Sequence, residues 1–257
     1  MPQMRTLLVW GLLAGLLAGL LALAFAEAFG EPPVEVAIAF EYRQDGHATQ
    51  GPAAHDHAQE AEPVSRGVQR SLGLAIATCA FGTALGGLFS LAFAFAYGRI
   101  ARLSPRNTAL LLAATGFGVV FLVPFLVYPA NPPSVGHPDT IDNRSALYFS
   151  MVAISIVASV LAMYLRARLA ERIENWLAVV IAAVGFAVVV WGAGALLPDF
   201  HEVPDGFPAQ TLWEFRLASA GTQVVLWATL GITFAVLFDR AAQQATKRET
   251  AAGLAAG

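Results

Sequence analysis

Six long apolar runs are the feature of this sequence that most limits what it can fold into. They occupy residues 6–29, 72–97, 109–128, 146–165, 176–197 and 217–238. Each run has about the 20 residues that an α-helix needs to cross the hydrocarbon core of a bilayer. The sequence therefore predicts an all-α, polytopic membrane protein, a bundle of about six transmembrane helices arranged as three helical hairpins.

The composition agrees with the lipid bilayer as the main surroundings of the chain. Hydrophobic residues make up 57% and charged residues 13%, whereas soluble domains carry about 25% charged residues. We expect one integral membrane domain over residues 1–240, with a long loop at 30–71 and a flexible cytoplasmic tail at 241–257. No basic run suggests nucleic acid, and neither a P-loop nor a G-x-S-x-G or H-E-x-x-H motif occurs. The chain is therefore expected to be neither an enzyme nor a holder of a tightly bound cofactor.

The distribution of basic residues predicts the orientation. Ten of the 15 Lys and Arg residues lie in the N-terminus, the second and fourth connections and the tail. Because cytoplasmic loops are enriched in Lys and Arg, both termini are expected in the cytoplasm. The loops at 30–71, 129–145 and 198–216 are then expected outside. Each of these outer loops ends in an arginine that can reach the interface or pair with loop acids: Arg70, Arg144 and Arg216.

The first run permits two interpretations. Arg5, the apolar stretch and Ala24-Phe25-Ala26 are also typical of a cleaved signal peptide. A retained helix is favoured, because the run is long and carries glycines at a spacing of four: Gly11, Gly15 and Gly19. These three positions share one helix face, which allows another helix to approach closely.

The outer loops hold the residues that could collect a metal ion. All five histidines lie there, and imidazole together with carboxylate suits Co, Ni and Zn. The alternative is that these loops are acidic only because basic residues are kept inside. The candidate ligands are His55, His57, His137, His201, Asp139, Glu31, Glu35, Glu41 and Glu202.

Polar residues near the spans suggest a path for an ion. Glu27 lies at the end of the first run, and Arg216, Ser219 and Gln223 form a stripe at helical spacing. Such residues line a pathway or hydrogen-bond to neighbouring helices. Pro124 is expected to kink the third span and to free a carbonyl group. In the first outer loop we expect a short amphipathic helix over residues 33–42, with Val34, Ile38 and Tyr42 on one face.

Two proline-rich segments resemble a known family. Tyr128-Pro-Ala-Asn-Pro-Pro-Ser-Val-Gly, followed by Asp139-Thr-Ile and Arg144, is similar to a signature of the CbtA family of predicted cobalt transporter subunits. Leu197-Pro-Asp-Phe-His-Glu-Val-Pro-Asp-Gly-Phe-Pro-Ala, with Leu212-Trp-Glu-Phe-Arg-Leu-Ala-Ser, resembles the second signature. Gly30-Glu-Pro-Pro and Ala37-Ile-Ala-Phe-Glu fit the segment after the first helix.

The resemblance implies a multi-pass protein of the prokaryotic inner membrane that takes up Co²⁺ for cobalamin biosynthesis. It also implies a small single-span CbtB-like partner subunit with a His-bearing end. Two alternatives remain open from the residues. One is a scaffold subunit that binds no metal and assembles a partner through the glycine face; the other is a transporter of another divalent cation, such as nickel.

Overall fold

The computed structural model describes residues 4–48, 72–99, 103–200 and 202–255 of the chain. Within these residues the secondary structure is helical, and no strand occurs. The helices are α1 (Met4–Phe25), α2 (Glu31–Ala48), α3 (Leu74–Ala96), α4 (Pro105–Gly116), α5 (Val123–Val127), α6 (Ile141–Leu169), α7 (Asn175–Leu196) and α8 (Ala209–Ala255). Six helical stretches are long and apolar enough to cross a membrane, which confirms the predicted class and the six spans.

In the described part of the chain two π-helical turns interrupt the spans, and both lie just before prolines. Ala26–Gly30 precedes Pro32 and Pro33, and Phe117–Leu122 precedes Pro124. Proline has no backbone N–H for the α-helical ladder, and a π turn shifts that ladder by one residue. The N–H of Val123 accordingly bonds to the carbonyl of Gly118, five residues back.

The second π turn leaves a carbonyl for another helix to satisfy. In a π turn each N–H bonds to the carbonyl five residues earlier, so Pro124 would be the donor to the carbonyl of Val119. Proline has no N–H, and this bond cannot form. Ser155 of α6, fully buried, donates its hydroxyl to this carbonyl at 2.5 Å. A buried side chain thus replaces the bond that proline removes, as prolines in membrane helices require.

The helix after the first span differs from the expected one. The sequence predicted a helix over 33–42, whereas α2 runs from Glu31 to Ala48 and follows the first π turn without a break. None of Val34, Ile38 and Tyr42 is buried within the protein, and their role as the apolar face of a helix at the membrane surface stays a prediction. Tyr42 is exposed, while Ala37 is completely buried and Phe40 packs beside it.

The described residues form two compact units, each assembled from separate stretches of chain. Unit 1 comprises residues 1–31, 55–115 and 221–257, and unit 2 comprises 32–54 and 116–220. The single membrane domain over 1–240 stays a prediction. So does the flexible cytoplasmic tail at 241–257, where the backbone is helical as far as Ala255.

In unit 1, α1 packs against α3 along the glycine face. Gly11 lies against Gly86 and Ser90, and Gly19 lies against Thr78 and Cys79. Residues later in α1 therefore contact residues earlier in α3, so the two helices are antiparallel. The arrangement of all six spans as three hairpins stays a prediction.

Aromatic rings join α3 to the part of α8 after residue 220. Phe93 of α3 contacts Phe234 and Phe238, with ring centroids 4.9 and 5.4 Å apart. Trp10 of α1 meets Phe238 edge-on at 6.0 Å. The rings of Phe93 and Phe234 are completely or almost completely buried, so they form the interior of unit 1.

Candidate functional site

In unit 2 the two proline-rich loops are hydrogen-bonded to each other, and Glu202 makes most of the bonds. We call residues 129–144 and 198–208 the loop junction. The backbone N–H of Gly136 donates to the backbone carbonyl of Glu202 at 3.1 Å. The N–H of His137 and the hydroxyl of Thr140 both donate to Oε2 of Glu202, at 2.9 and 2.8 Å. One acidic residue thus connects segments that lie more than 60 residues apart in the chain.

Arg144 completes the junction from the first turn of α6. Its Nε lies 3.7 Å from Oε2 of Glu202, an ion-pair distance that is too long for a hydrogen bond. Its Nη1 and Nη2 donate to the carbonyls of Val135 and His137 at 3.4 and 3.5 Å. The two charged side chains are 23% and 12% exposed. The arginine that the sequence placed at the end of the second outer loop therefore pairs with a loop acid.

The surroundings of Glu202 keep it ionised. The hydrogen bond from the His137 backbone is the main reason that the pKa of Glu202 lies below its ordinary value of 4.5. The hydroxyl of Thr140 and the charge of Arg144 lower the pKa further, while partial burial opposes them. Hydrogen bonds and an opposite charge both favour the carboxylate form. The junction therefore contains a carboxylate, not a carboxylic acid, at neutral pH.

The backbone around Val135 explains why the first loop has a glycine at position 136. Ser134 has φ +62° and Gly136 has φ +110°, values that glycine adopts much more readily than other residues. A Cβ atom at position 136 would also overlap the guanidinium of Arg144. Glycine is therefore required there twice, for its backbone angle and for the approach of the arginine.

The same turn directs Val135 into a small apolar cluster. Val135, Ala37 and Phe207 are buried together. Phe40 of α2 meets Phe207 edge-on, with ring centroids 5.1 Å apart. The hydroxyl of Ser134 donates to the carbonyl of Ala37 at 3.0 Å. The cluster therefore attaches the middle of α2 to both loops of the junction.

Arg216, at the start of the last span, also binds the first loop. Its Nε donates to the carbonyl of Ala130 at 3.3 Å, and its Nη2 donates to Oδ1 of Asn131 at 3.0 Å. The hydroxyl of Tyr128 donates to the carbonyl of Pro198 at 2.8 Å. Arg216, which the sequence suggested for an ion path, is thus placed as a tether of the loop. The other path candidates are an exposed Glu27 and the partly buried Ser219 and Gln223, and their role stays a prediction.

The predicted metal ligands are not gathered into one cluster in the described part of the chain. No group of three or more His, Cys, Asp or Glu side chains suited to a metal occurs there. His137, Asp139, Glu35 and Glu41 are exposed, whereas Glu31 is buried. His55, His57 and His201 lie outside the described residues. Their role as ligands stays a prediction.

An open apolar crevice lies between α5 and α7 in the same unit. Its volume is about 550 Å³, and its walls include Val127, Val190 and Trp191. Its lining also includes Tyr128 and Asp199, and Asp199 is the one carboxylate among the residues that line it. A cation that prefers several oxygen or nitrogen ligands gains little in such a crevice. The loop junction is therefore the better candidate site.

Sequence reasoning did not identify the residues that hold the junction together. The roles of Thr140, Ser134, Asn131 and Tyr128 were missed, and Arg144 was noted only as a residue able to pair with an acid. The signal available was their concentration in the two proline-rich segments. Nothing in either segment alone indicates which residue of the other it contacts.

One comparison with known proteins yields a match. The family model described as "Probable cobalt transporter subunit (CbtA)" matches residues 4–239, nearly the whole chain. Both loops of the junction, five of the six spans and all but the last two residues of the sixth fall within the matched region. No curated protein and no solved structure matches the chain.

Proposed function

Because this chain belongs to the CbtA family of probable cobalt transporter subunits, we propose that it admits Co²⁺ through the membrane and that the loop junction collects the ion. The observation that carries this proposal is the family match across the whole membrane region. The junction supports it because the two signature segments meet in one hydrogen-bonded structure that exposes His137.

Exposed imidazole and carboxylate groups would collect the ion. His137 and Asp139 are exposed on the first loop of the junction, and His201 precedes Glu202 on the second. Glu35 and Glu41, exposed on α2, would supply further carboxylates, and His55 and His57, later in the sequence, would supply further imidazoles. Nitrogen and carboxylate oxygen ligands suit Co²⁺ and also Ni²⁺, so the family supports cobalt more strongly than the ligand set does.

The membrane potential can supply part of the driving force. One elementary charge that crosses 100 mV gains about 2.3 kcal/mol, so a dication that enters a negative interior gains roughly twice that. The sequence contains no P-loop for ATP hydrolysis. We propose a small single-span CbtB-like subunit with a His-bearing end as the partner that the word "subunit" implies. We also propose that the chain lies in the inner membrane with both termini on the cytoplasmic side.

The rival scaffold hypothesis has lost its main support. It relied on the glycine face of α1 as a surface for a partner. That face is covered within unit 1 by α3, whose Gly82 and Gly86 lie against Gly15. A transport function therefore explains the chain better than a scaffold that assembles through α1.

The proposal is tested by Co²⁺ accumulation at trace metal in cells with and without the gene. We expect the gene to raise accumulation, and His137→Ala with His201→Ala to reduce the gain. Asp205→Asn, which removes an exposed charge from the second loop, serves as the control. Equal accumulation with and without the gene would refute the proposal. Stronger inhibition of uptake by Ni²⁺ than by unlabelled Co²⁺ would identify nickel as the cargo instead.

A further inference from the structure

We infer that Glu202 and Arg144 are positioning residues that hold the backbone of His137, and that Glu202 is not itself a ligand of the ion. The inference rests on the proposed function, since it takes His137 as a group that collects the cation. It departs from the sequence-based prediction that Glu202 is one of the ligands.

The contacts of Glu202 converge on two consecutive peptide units of the other loop. Its backbone carbonyl accepts the N–H of Gly136, and its Oε2 accepts the N–H of His137. The hydroxyl of Thr140 bonds to the same Oε2. To bind at Oε2, a metal ion would have to displace donors that are already in place. A partly buried donor left without a partner carries a desolvation cost, so ligation there is disfavoured.

Charge gives a second, independent reason. The guanidinium of Arg144 lies 3.7 Å from the oxygen to which the ion would bind. Like charges at this range repel, and partial burial of both side chains weakens the screening by water. The carboxylate of Glu202 already has its counter-ion. Asp139 is exposed and makes no ion pair with a basic side chain among the described residues. An exposed acid of this kind is better placed to bind a dication.

His137 is held by its backbone and presents its side chain. Its N–H donates to Glu202, and its carbonyl accepts the N–H of Thr140 at 3.1 Å and Nη2 of Arg144 at 3.5 Å. All these bonds use backbone atoms of His137, and the residue as a whole is exposed. A ligand on a fixed backbone is preorganised and loses less conformational freedom when the ion binds.

The experiment separates a positioning role from ligation by the choice of substitution. Glu202→Gln keeps a side-chain oxygen that can accept both hydrogen bonds but removes the charge that a metal would use, whereas Glu202→Ala removes both. We expect Glu202→Gln to keep a KM for Co²⁺ uptake close to that of the unchanged protein. Glu202→Ala should raise KM by about 10–100-fold, as loss of an outer-shell partner of a metal ligand does. Asp205→Asn is the control for removal of one negative charge from the same loop.

Hydrogen exchange of the full chain in lipid nanodiscs gives a readout that does not depend on transport. Glu202→Ala should speed exchange in the peptides that contain Gly136 and His137, and Glu202→Gln should not. Thr140→Val, a milder change that removes one donor and keeps the carboxylate, should speed it to a smaller extent. If exchange is unchanged in both Glu202→Ala and Thr140→Val, the positioning role is overturned.

Failure of this inference differs from failure of the proposed function. If Glu202→Gln impairs Co²⁺ uptake as strongly as Glu202→Ala while exchange of the first loop stays slow, Glu202 is a ligand and the inference is overturned. If cells with and without the gene accumulate Co²⁺ equally, the proposed function fails. The exchange experiment then still decides whether Glu202 holds the loop.

Discussion

The packing of α1 on α3 predicts different losses of stability when two glycines of α3, Gly82 and Gly87, are replaced by alanine. Gly82 faces α1, where a Cβ atom would lie 2.5 Å from the carbonyl oxygen of Gly15 and 2.9 Å from the Cα of Gly19. Gly87, on the same helix, has more room. Its Cβ would meet only the end of the Leu12 side chain, at 3.3 Å.

The expected size of the effect follows from these distances. Cβ contacts essentially never fall below 3.0 Å, so the two backbones must separate by at least 0.5 Å, the difference between 3.0 and 2.5 Å, to admit Gly82→Ala. Overpacking of this kind costs about 1–3 kcal/mol. The upper end applies here, because the obstacle is backbone that cannot rotate away. The helix propensity of alanine offsets at most about 1 kcal/mol, so the net loss of stability is about 2 kcal/mol.

Gly87→Ala is the matched control. Leu12 can shift by a few tenths of an ångström, so the substitution should range from neutral to about 1 kcal/mol stabilising, the propensity difference between alanine and glycine. The two variants should therefore differ by roughly 2–3 kcal/mol, the sum of these two estimates.

The measurement is unfolding in mixed detergent micelles at increasing SDS fraction, followed by tryptophan fluorescence, since Trp10 lies on α1 and packs on α8. The midpoint for Gly82→Ala should fall well below that for Gly87→Ala. Equal midpoints would refute the claim that α1 and α3 touch backbone to backbone at this position.

Three other substitutions probe unit 2. Ser155→Ala should destabilise it by about 1–3 kcal/mol because the carbonyl of Val119 loses its buried donor. Ser150→Ala, at an exposed position of the same helix, is the control and should change stability by less than about 0.5 kcal/mol. Equal losses in the two variants would contradict the hydrogen bond from Ser155 to Val119. Phe207→Ala should cost about 3–5 kcal/mol and speed hydrogen exchange in the first loop of the junction, and exchange like that of the unchanged protein would count against the apolar cluster. Because the folded-state pKa of Glu202 lies below 4.5, its stabilisation is present above pH 4.5 and is lost as the pH falls through the folded value. The midpoint temperature of thermal unfolding should therefore fall less steeply with decreasing pH in Glu202→Gln than in the unchanged protein. Parallel falls in the two proteins would disprove the linkage between Glu202 and stability.

The amino-acid sequence was sufficient for the class of fold and the number of spans. In lipid every backbone N–H and C=O group must form a hydrogen bond within the protein. A single apolar segment of about 20 residues can satisfy this requirement by itself only as an α-helix. The six runs of the sequence accordingly became six helical spans. The two proline-rich segments were likewise sufficient to identify the family that matches residues 4–239.

Periodicity did not identify the residues through which α2 packs inside the protein. The pattern of Val34, Ile38 and Tyr42 predicted a face at the membrane surface, whereas Ala37, with Phe40 beside it, packs in the apolar cluster. The reason is that the partners of α2 are Val135 and Phe207, which come from two distant loops. A helix in a membrane protein has apolar residues on several faces, and only its neighbours select the face that is buried.

The tertiary structure alone decided which groups Glu202 contacts. The sequence offered a carboxylate beside a histidine, which is as typical of a metal ligand as of a structural acid. Its partners His137 and Thr140 lie 65 and 62 residues away, and Arg144 approaches them only because Gly136 has no side chain in the way. Residue types therefore determine which solvent a segment prefers and which ions it is able to bind. Hydrogen bonds between loops far apart in the chain determine which of those groups is left exposed to bind one.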